Sequence, residues 1–169
     1  MNILNYFQKK SKKNFFNKKN IFIIFLITFI FFIDRLSKIK IIDHQINNNR
    51  IFINDYLNLD LIWNTGIGFG LLSMNAGLIY NLISVFIFVI LIFLLYLIIS
   101  SNYVEKLLLS LIFAGAAGNL FDRIFFYAVP DFIDLHINNF HWFTFNIADI
   151  FISIGIILLI TKEVVITKK

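Results

Sequence analysis

Residues 78–99 form an uninterrupted apolar run of 22 residues in which Asn81 is the only strongly polar member. Wound as a helix at about 1.5 Å per residue, such a run covers roughly 30 Å, the thickness of the hydrocarbon layer of a bilayer. A water-soluble core of this size has no place for a segment that is apolar all the way round, so the chain is read as a membrane protein. Its composition agrees, with 59% hydrophobic residues, 22 phenylalanines and a single proline in 169 residues. That length suits one bundle of a few spans and leaves no room for an independent soluble domain beside it.

Three further segments complete the expected bundle. Residues 21–33 are apolar and follow a lysine-rich stretch, the outline of a secretory signal peptide, but no small-residue cleavage site follows. Apolar character instead continues past Asp34, Arg35, Lys38 and Lys40 to Ile42, which predicts a first span with charges at its outer end. Residues 107–121 and 147–160 are shorter runs that become spans when their polar flanks, Asn119 and Asp149 among them, enter the membrane edge. The expected fold is therefore an all-α membrane protein, a bundle of four transmembrane helices over about 21–42, 78–99, 105–123 and 145–162. Outer segments at about 43–77 and 124–144 join them, residues 21–169 forming one domain behind a basic segment at 1–20.

Charge sets the expected orientation, because cytoplasmic loops retain Lys and Arg. Four spans place both termini inside, together with Lys9, Lys10, Lys12, Lys13, Lys18, Lys19, Lys106, Lys162, Lys168 and Lys169, against five cations outside: Arg35, Lys38, Lys40, Arg50 and Arg123. The same arrangement puts all eight aspartates on the outer side and both glutamates inside. The net charge of +5 is thus explained by an anchoring segment, and no nucleic-acid partner is expected. Without cysteine there is no thiolate nucleophile and no disulfide, so chemistry falls to Asp, Asn, Ser, His, Lys and Arg.

In the outer segments, residues 54–63 alternate Leu57, Leu59, Leu61 and Trp63 with Asn58 and Asp60, the period of a half-buried strand, which predicts a small extracytoplasmic β-sheet. The following Asn64-Thr65-Gly66-Ile67-Gly68-Phe69-Gly70 is glycine-rich but lacks the Lys-Ser or Lys-Thr of a phosphate loop.

Polar residues at membrane depth are costly and mark function. Asp34 and Lys38 stand at i and i+4 and can pair; Gly115-Ala116-Ala117-Gly118 allows close helix approach; Gly115, Asn119, Asp122 and Arg123 share a helix face. Asn146, Asp149 and Ser153 share another, and Pro130 holds the chain extended before Asp131. Two carboxyls meeting at the mouth of the bundle suit peptide hydrolysis. Like charges at close range cannot both ionise, which leaves one as base and one as acid around a shared water. Spacing alone leaves other readings open: Asp34–Lys38 as a structural ion pair, Asp122 as a neutraliser of Arg123 or of a neighbour at an interface, or a proton-coupled carrier or channel subunit with a relay of acids. A metal-dependent hydrolase using Asp131, Asp134, His136 and His141 is a further rival, though its histidines lack a His-Glu-x-x-His frame, and a structural adaptor is another.

The ordered blocks Asp34-x-x-x-Lys38, Asn64-x-Gly66 with Phe69, Gly115-x-x-Gly118-Asn119-x-x-Asp122-Arg123, Asp131-Phe132-Ile133-Asp134 and Phe145-Asn146-x-Ala148-Asp149 resemble the motifs of lipoprotein signal peptidases. That resemblance spans residues 34–149 and implies a four-helix membrane aspartic endopeptidase with Asp131 and Asp149 as catalytic dyad. It implies supporting roles for Asp34, Lys38, Asn64, Gly66, Gly115, Asn119, Asp122, Arg123 and Asn146, with no cofactor and no metal. The implied partner is a diacylglyceryl-modified prolipoprotein, cut on the amino side of its lipidated cysteine in the bacterial inner membrane; membrane lipid is a further expected partner, and a monomer is expected although nothing in the sequence fixes the oligomeric state. This sequence departs from the family pattern in Arg35, where glutamine is common, in Gly68, where alanine is usual, in Pro130, and in its long lysine-rich start.

Overall fold

The computed structural model describes residues 17–46, 49–66 and 77–167. Lys9, Lys10, Lys12 and Lys13, the glycine run from Gly68 to Gly70 with Phe69, and Lys168 and Lys169 lie outside the described residues. In chain order the elements are α1 (Lys18–Gln45), β1 (Ile51–Asn54), β2 (Leu57–Asn64), α2 (Leu78–Ser100), α3 (Tyr103–Phe126), β3 (Val129–Ile137), β4 (Phe140–Phe145) and α4 (Ile147–Thr167).

Local chemistry explains where the helices begin. The Asn17 side chain accepts the backbone N–H of Asn20 at 2.8 Å, and that of Asn102 accepts the N–H of Glu105 at 3.1 Å, so two otherwise unpaired donors are satisfied. Helix α3 ends at Tyr127, whose φ of 55° turns the chain sharply toward β3. Among the described residues three helices are long and apolar enough to cross a membrane: α1, the Tyr80–Ser100 stretch of α2, and α3. Their faces show it, because Phe25, Phe86 and Phe93 are exposed, whereas Ile23, Leu91, Leu94, Ile98, Leu109 and Leu120 form the buried seam between α1, α2 and α3.

Helix α3 is the centre of the bundle and packs against α1, α2 and α4. Glycine permits the closest approach. A Cβ on Gly115 would strike the carbonyl oxygen of Ala148 on α4, one on Gly118 would lie 2.7 Å from Asp34 Oδ2 on α1, and one on Gly155 would lie 2.6 Å from Ile112 Cγ1. Without these contacts the polar ends of α1, α3 and α4 would stand too far apart to touch. At the opposite end, Lys162 of α4 reaches Glu105 of α3 at 2.7 Å, and Lys19 of α1 lies over the Tyr103 ring. Helices α1 and α3 therefore run the same way and α4 runs against them.

The expected sheet is present and larger than the sequence suggests: four antiparallel strands in the order β1-β2-β3-β4. Residues 124–144, expected as an outer segment, contribute both β3 and β4. The β3–β4 pairing shifts register between Asp134 and His136. Pro130 lies in β3 beyond the part paired with β4, so its missing N–H breaks no ladder bond on that side. The facing of β2 also differs from simple amphipathicity: Asn58 and Asn64 are buried, while Ile62 and Trp63 are exposed. Here the inner face meets a polar cluster, so amides point in and apolar side chains point out.

Candidate active site

The C-terminal ends of α1 and α3, the N-terminus of α4 and the start of β3 converge, and each brings polar side chains. At the start of α4, Asn146 and Asp149 cap the helix reciprocally. The Asp149 N–H donates to Asn146 Oδ1 at 3.0 Å, and the Asn146 N–H donates to Asp149 Oδ2 at 3.2 Å. The Asn-x-x-Asp spacing alone fixes where the Asp149 carboxylate stands. Its other oxygen, Oδ1, accepts Asn119 Nδ2 at 2.8 Å.

Asp131 arrives on β3. Its Oδ1 accepts Asn146 Nδ2 at 2.6 Å and its Oδ2 accepts Asn64 Nδ2 at 2.8 Å. Asn146 thus bonds both carboxylates, one through its side chain and one through its backbone. Asn64 is itself held by an Asx turn in which the Gly66 N–H donates to Asn64 Oδ1 at 2.8 Å. Burial, first, and the neighbouring Asp149 carboxylate, second, push the Asp131 pKa up to about 6, against the opposing pull of the Asn64 and Asn146 donors and of Lys38.

Below this pair lies an ion cluster. Lys38 Nζ donates to Asp34 Oδ2 at 2.7 Å, Asp122 Oδ2 at 2.7 Å and Asn119 Oδ1 at 3.0 Å, which uses all three of its protons. Arg35 pairs with the other oxygen of Asp122, and its guanidinium lies over the Phe121 and Phe126 rings. Asp34 Oδ1 accepts the Ala148 N–H at 3.0 Å, fastening α1 to the first turn of α4. Asn119 Oδ1 also accepts Asn146 Nδ2 at 3.1 Å, so Asn119 joins the ion cluster to the aspartate pair. Arg123 donates to the Asn119 carbonyl at 3.2 Å and to the Gly66 carbonyl at 3.0 Å.

All eleven residues singled out from the sequence meet here. The Asp34–Lys38 pair forms as the i, i+4 spacing predicts and is fully buried and shared with α3. Of the partners left open for Asp122, the ones it pairs with are Lys38 and Arg35, because α3 turns its carboxylate toward α1. Sequence reading missed Arg35 as a member, although it adjoins Asp34. It also missed Tyr80, whose hydroxyl donates to the Arg123 carbonyl at 3.3 Å, and Gly155, a lone small residue in an apolar span. The backbone N–H of Ala148 carries no sequence signal.

The formal charges constrain the chemistry. Asp34, Asp122, Asp131 and Asp149 gather with Arg35, Lys38 and Arg123, four acids against three bases, and one retained proton makes the set neutral. Burial and the neighbouring Asp149 carboxylate favour a proton on Asp131.

Comparisons with known proteins agree in extent. Residues 26–165 match the family described as signal peptidase (SPase) II. The lipoprotein signal peptidase of Pelagibacter ubique (strain HTCC1062) is 44% identical over 161 residues, covering 92% of this chain and 96% of that protein. That of Anaplasma phagocytophilum (strain HZ) is 36% identical over 148 residues, covering 86% and 94%. A bacterial membrane enzyme solved by the in meso method at 2.3 Å superposes with a TM-score of 0.74 at 32% identity, covering 86% of this chain and 88% of that one.

Proposed function

The chain belongs to the signal peptidase II family, and from that premise we propose that Asp131 and Asp149 are its catalytic pair. It is a membrane aspartic peptidase that removes signal peptides from prolipoproteins. The reading of the pair rests on one observation above the others: Asn146 hydrogen-bonds both carboxylates, which have no other direct link along the chain. A proton-coupled carrier finds no support, since its acids would be spread through the membrane depth, and here they gather at one end of the bundle.

In the proposed reaction, ionised Asp149 takes a proton from water as the oxygen attacks the scissile carbonyl carbon. Protonated Asp131 hydrogen-bonds the carbonyl oxygen and then, as the C–N bond breaks, a proton passes to the leaving nitrogen. Asn64, Asn119 and Asn146 hold the two carboxyls in place through rigid amide contacts, and the Lys38 cluster fixes Asn119 from below. Preorganisation of this kind stabilises charge without moving dipoles during the reaction.

The finer substrate is a prolipoprotein whose cysteine carries a diacylglyceryl group, cut on the amino side of that cysteine. A lipid-bearing peptide presents its bond at the interface, so aspartates at the end of the bundle meet it without a deep channel. The proposed topology has α4 as a fourth span, both termini cytoplasmic and the sheet outside. The lysine-rich sequence that precedes α1 supports it.

The test is processing of a lipidated prolipoprotein by wild type, Asp131→Asn and Asp149→Asn in vesicles. Each variant is expected to accumulate uncut precursor, while Asp43→Asn, which lies outside every motif block, cuts normally. Persistent cleavage by either of the first two variants removes that residue from the catalytic pair.

A further inference from the structure

We propose that Asp134, His136 and His141 form a binding site for a divalent transition-metal ion of the zinc class, on the β3–β4 hairpin and separate from the aspartate pair. Their ligand atoms all lie within 4.8 Å of one another. His141 Nδ1 stands 2.9 Å from Asp134 Oδ2, and His136 Nδ1 stands 3.8 Å from the same oxygen. Zinc bonds of about 2.0–2.1 Å in tetrahedral geometry put ligand atoms roughly 3.3 Å apart, so these spacings bracket what such an ion needs. The backbone makes the arrangement: His136 and His141 are directly paired across β3 and β4, which puts both rings on one face of the hairpin. None of the three residues bonds to Asp131 or Asp149.

Asn58 supplies the second observation. It is 2% exposed and sits opposite Asp134 in the β2–β3 register. Its Nδ2 makes two long contacts, 3.4 Å to Asp134 Oδ2 and 3.4 Å to His136 Nδ1, while its Oδ1 is buried without a partner. Turned over about its last bond, the amide presents its carbonyl oxygen to the same point, as a fourth, neutral ligand. The donor set would then be two imidazoles, one carboxylate and one amide oxygen, which suits a borderline ion better than magnesium or calcium.

Entry and adjustment are available on one side. The His141 side chain is 48% exposed, so an ion reaches the site from solvent and the ring can turn to meet it. The two rings now stack with centroids 5.1 Å apart, and binding exchanges that stacking and the Nδ1 proton of His141 for a metal bond. The ion ties β2, β3 and β4 together three residues along β3 from Asp131.

Zinc binding is read directly, so its failure is distinct from failure of the peptidase reading. Full-length protein in detergent is stripped with a chelator and titrated with Zn²⁺ against a chromophoric competitor. One ion per chain is expected, with affinity lowered at least about tenfold by His136→Gln and by His141→Gln. His44→Gln and Asp131→Asn should leave it unchanged. Co²⁺ in place of Zn²⁺ should give visible absorption bands of a tetrahedral site that His136→Gln abolishes, and retained prolipoprotein cleavage shows that the histidine variants are folded. Less than one equivalent bound, or binding that survives in both histidine variants, overturns the proposal.

Discussion

Replacing Asp131 by Asn should stabilise the protein relative to wild type, progressively, as pH rises. Burial and Asp149 lift the Asp131 pKa from 3.8 to about 6, so the folded state holds this proton more tightly than the unfolded chain. Between those values the folded state carries more protons, and stability falls as pH increases through the window. At 1.36 kcal/mol per pH unit the penalty reaches about 3 kcal/mol above pH 6 and vanishes below pH 3.8. Asparagine never ionises and escapes it. The variant also loses hydrogen-bond complementarity, because Asn64 and Asn146 both donate and an amide offers one oxygen, but that cost does not change with pH. The difference between the two stability curves isolates ionisation. Thermal unfolding of both proteins in the same detergent, from pH 4 to 8, should show the variant gaining about 6–12 °C on wild type across the range. A difference that stays flat, or that shrinks as pH rises, refutes the reasoning that burial and like charge hold a proton on Asp131.

Lys38→Met leaves Asp34 and Asp122 buried without their shared cation and should cost about 3–5 kcal/mol, seen as a lowered unfolding midpoint. Pairing it with Asp34→Asn should recover part of that loss. Gly118→Ala places a methyl against Asp34 Oδ2, so that the Asp34 carboxylate, whose Oδ2 accepts Lys38 and whose Oδ1 accepts the Ala148 N–H, must shift; a loss of about 1–3 kcal/mol is expected, together with slower cleavage. Asn146→Ala removes both the helix cap and the bridge between the carboxylates. It should lower stability by about 1 kcal/mol and turnover by roughly 10²-fold or more, measured by precursor processing.

Much of the site could be read along the chain because membrane burial makes polar residues conspicuous. Asp34 and Lys38 stand one helical turn apart, and Asn119, Asp122 and Arg123 share the end of α3, so their clustering follows from helix geometry alone. The reciprocal cap between Asn146 and Asp149 is equally local, its spacing visible in four consecutive residues. Strands β3 and β4 were not legible, since their irregular register and the inward-facing Asp131 and Asp134 of β3 blur the two-residue repeat. Arg35 was hidden for another reason: its partner Asp122 lies 87 residues away, and only helix packing brings them into contact.

Hydrophobic run length and intrahelical spacing are properties of neighbouring residues, so the sequence by itself determined that the chain enters a membrane, where its helices lie and which polar side chains share a helix face. Which of those side chains touch was decided by tertiary structure. Asp131 comes to Asp149 through a strand that enters beside the α4 cap, and Lys38 comes to Asp122 because glycines at 115 and 118 let three backbones close on one another. Contacts across such distances depend on the packing of whole elements, and no local pattern encodes them.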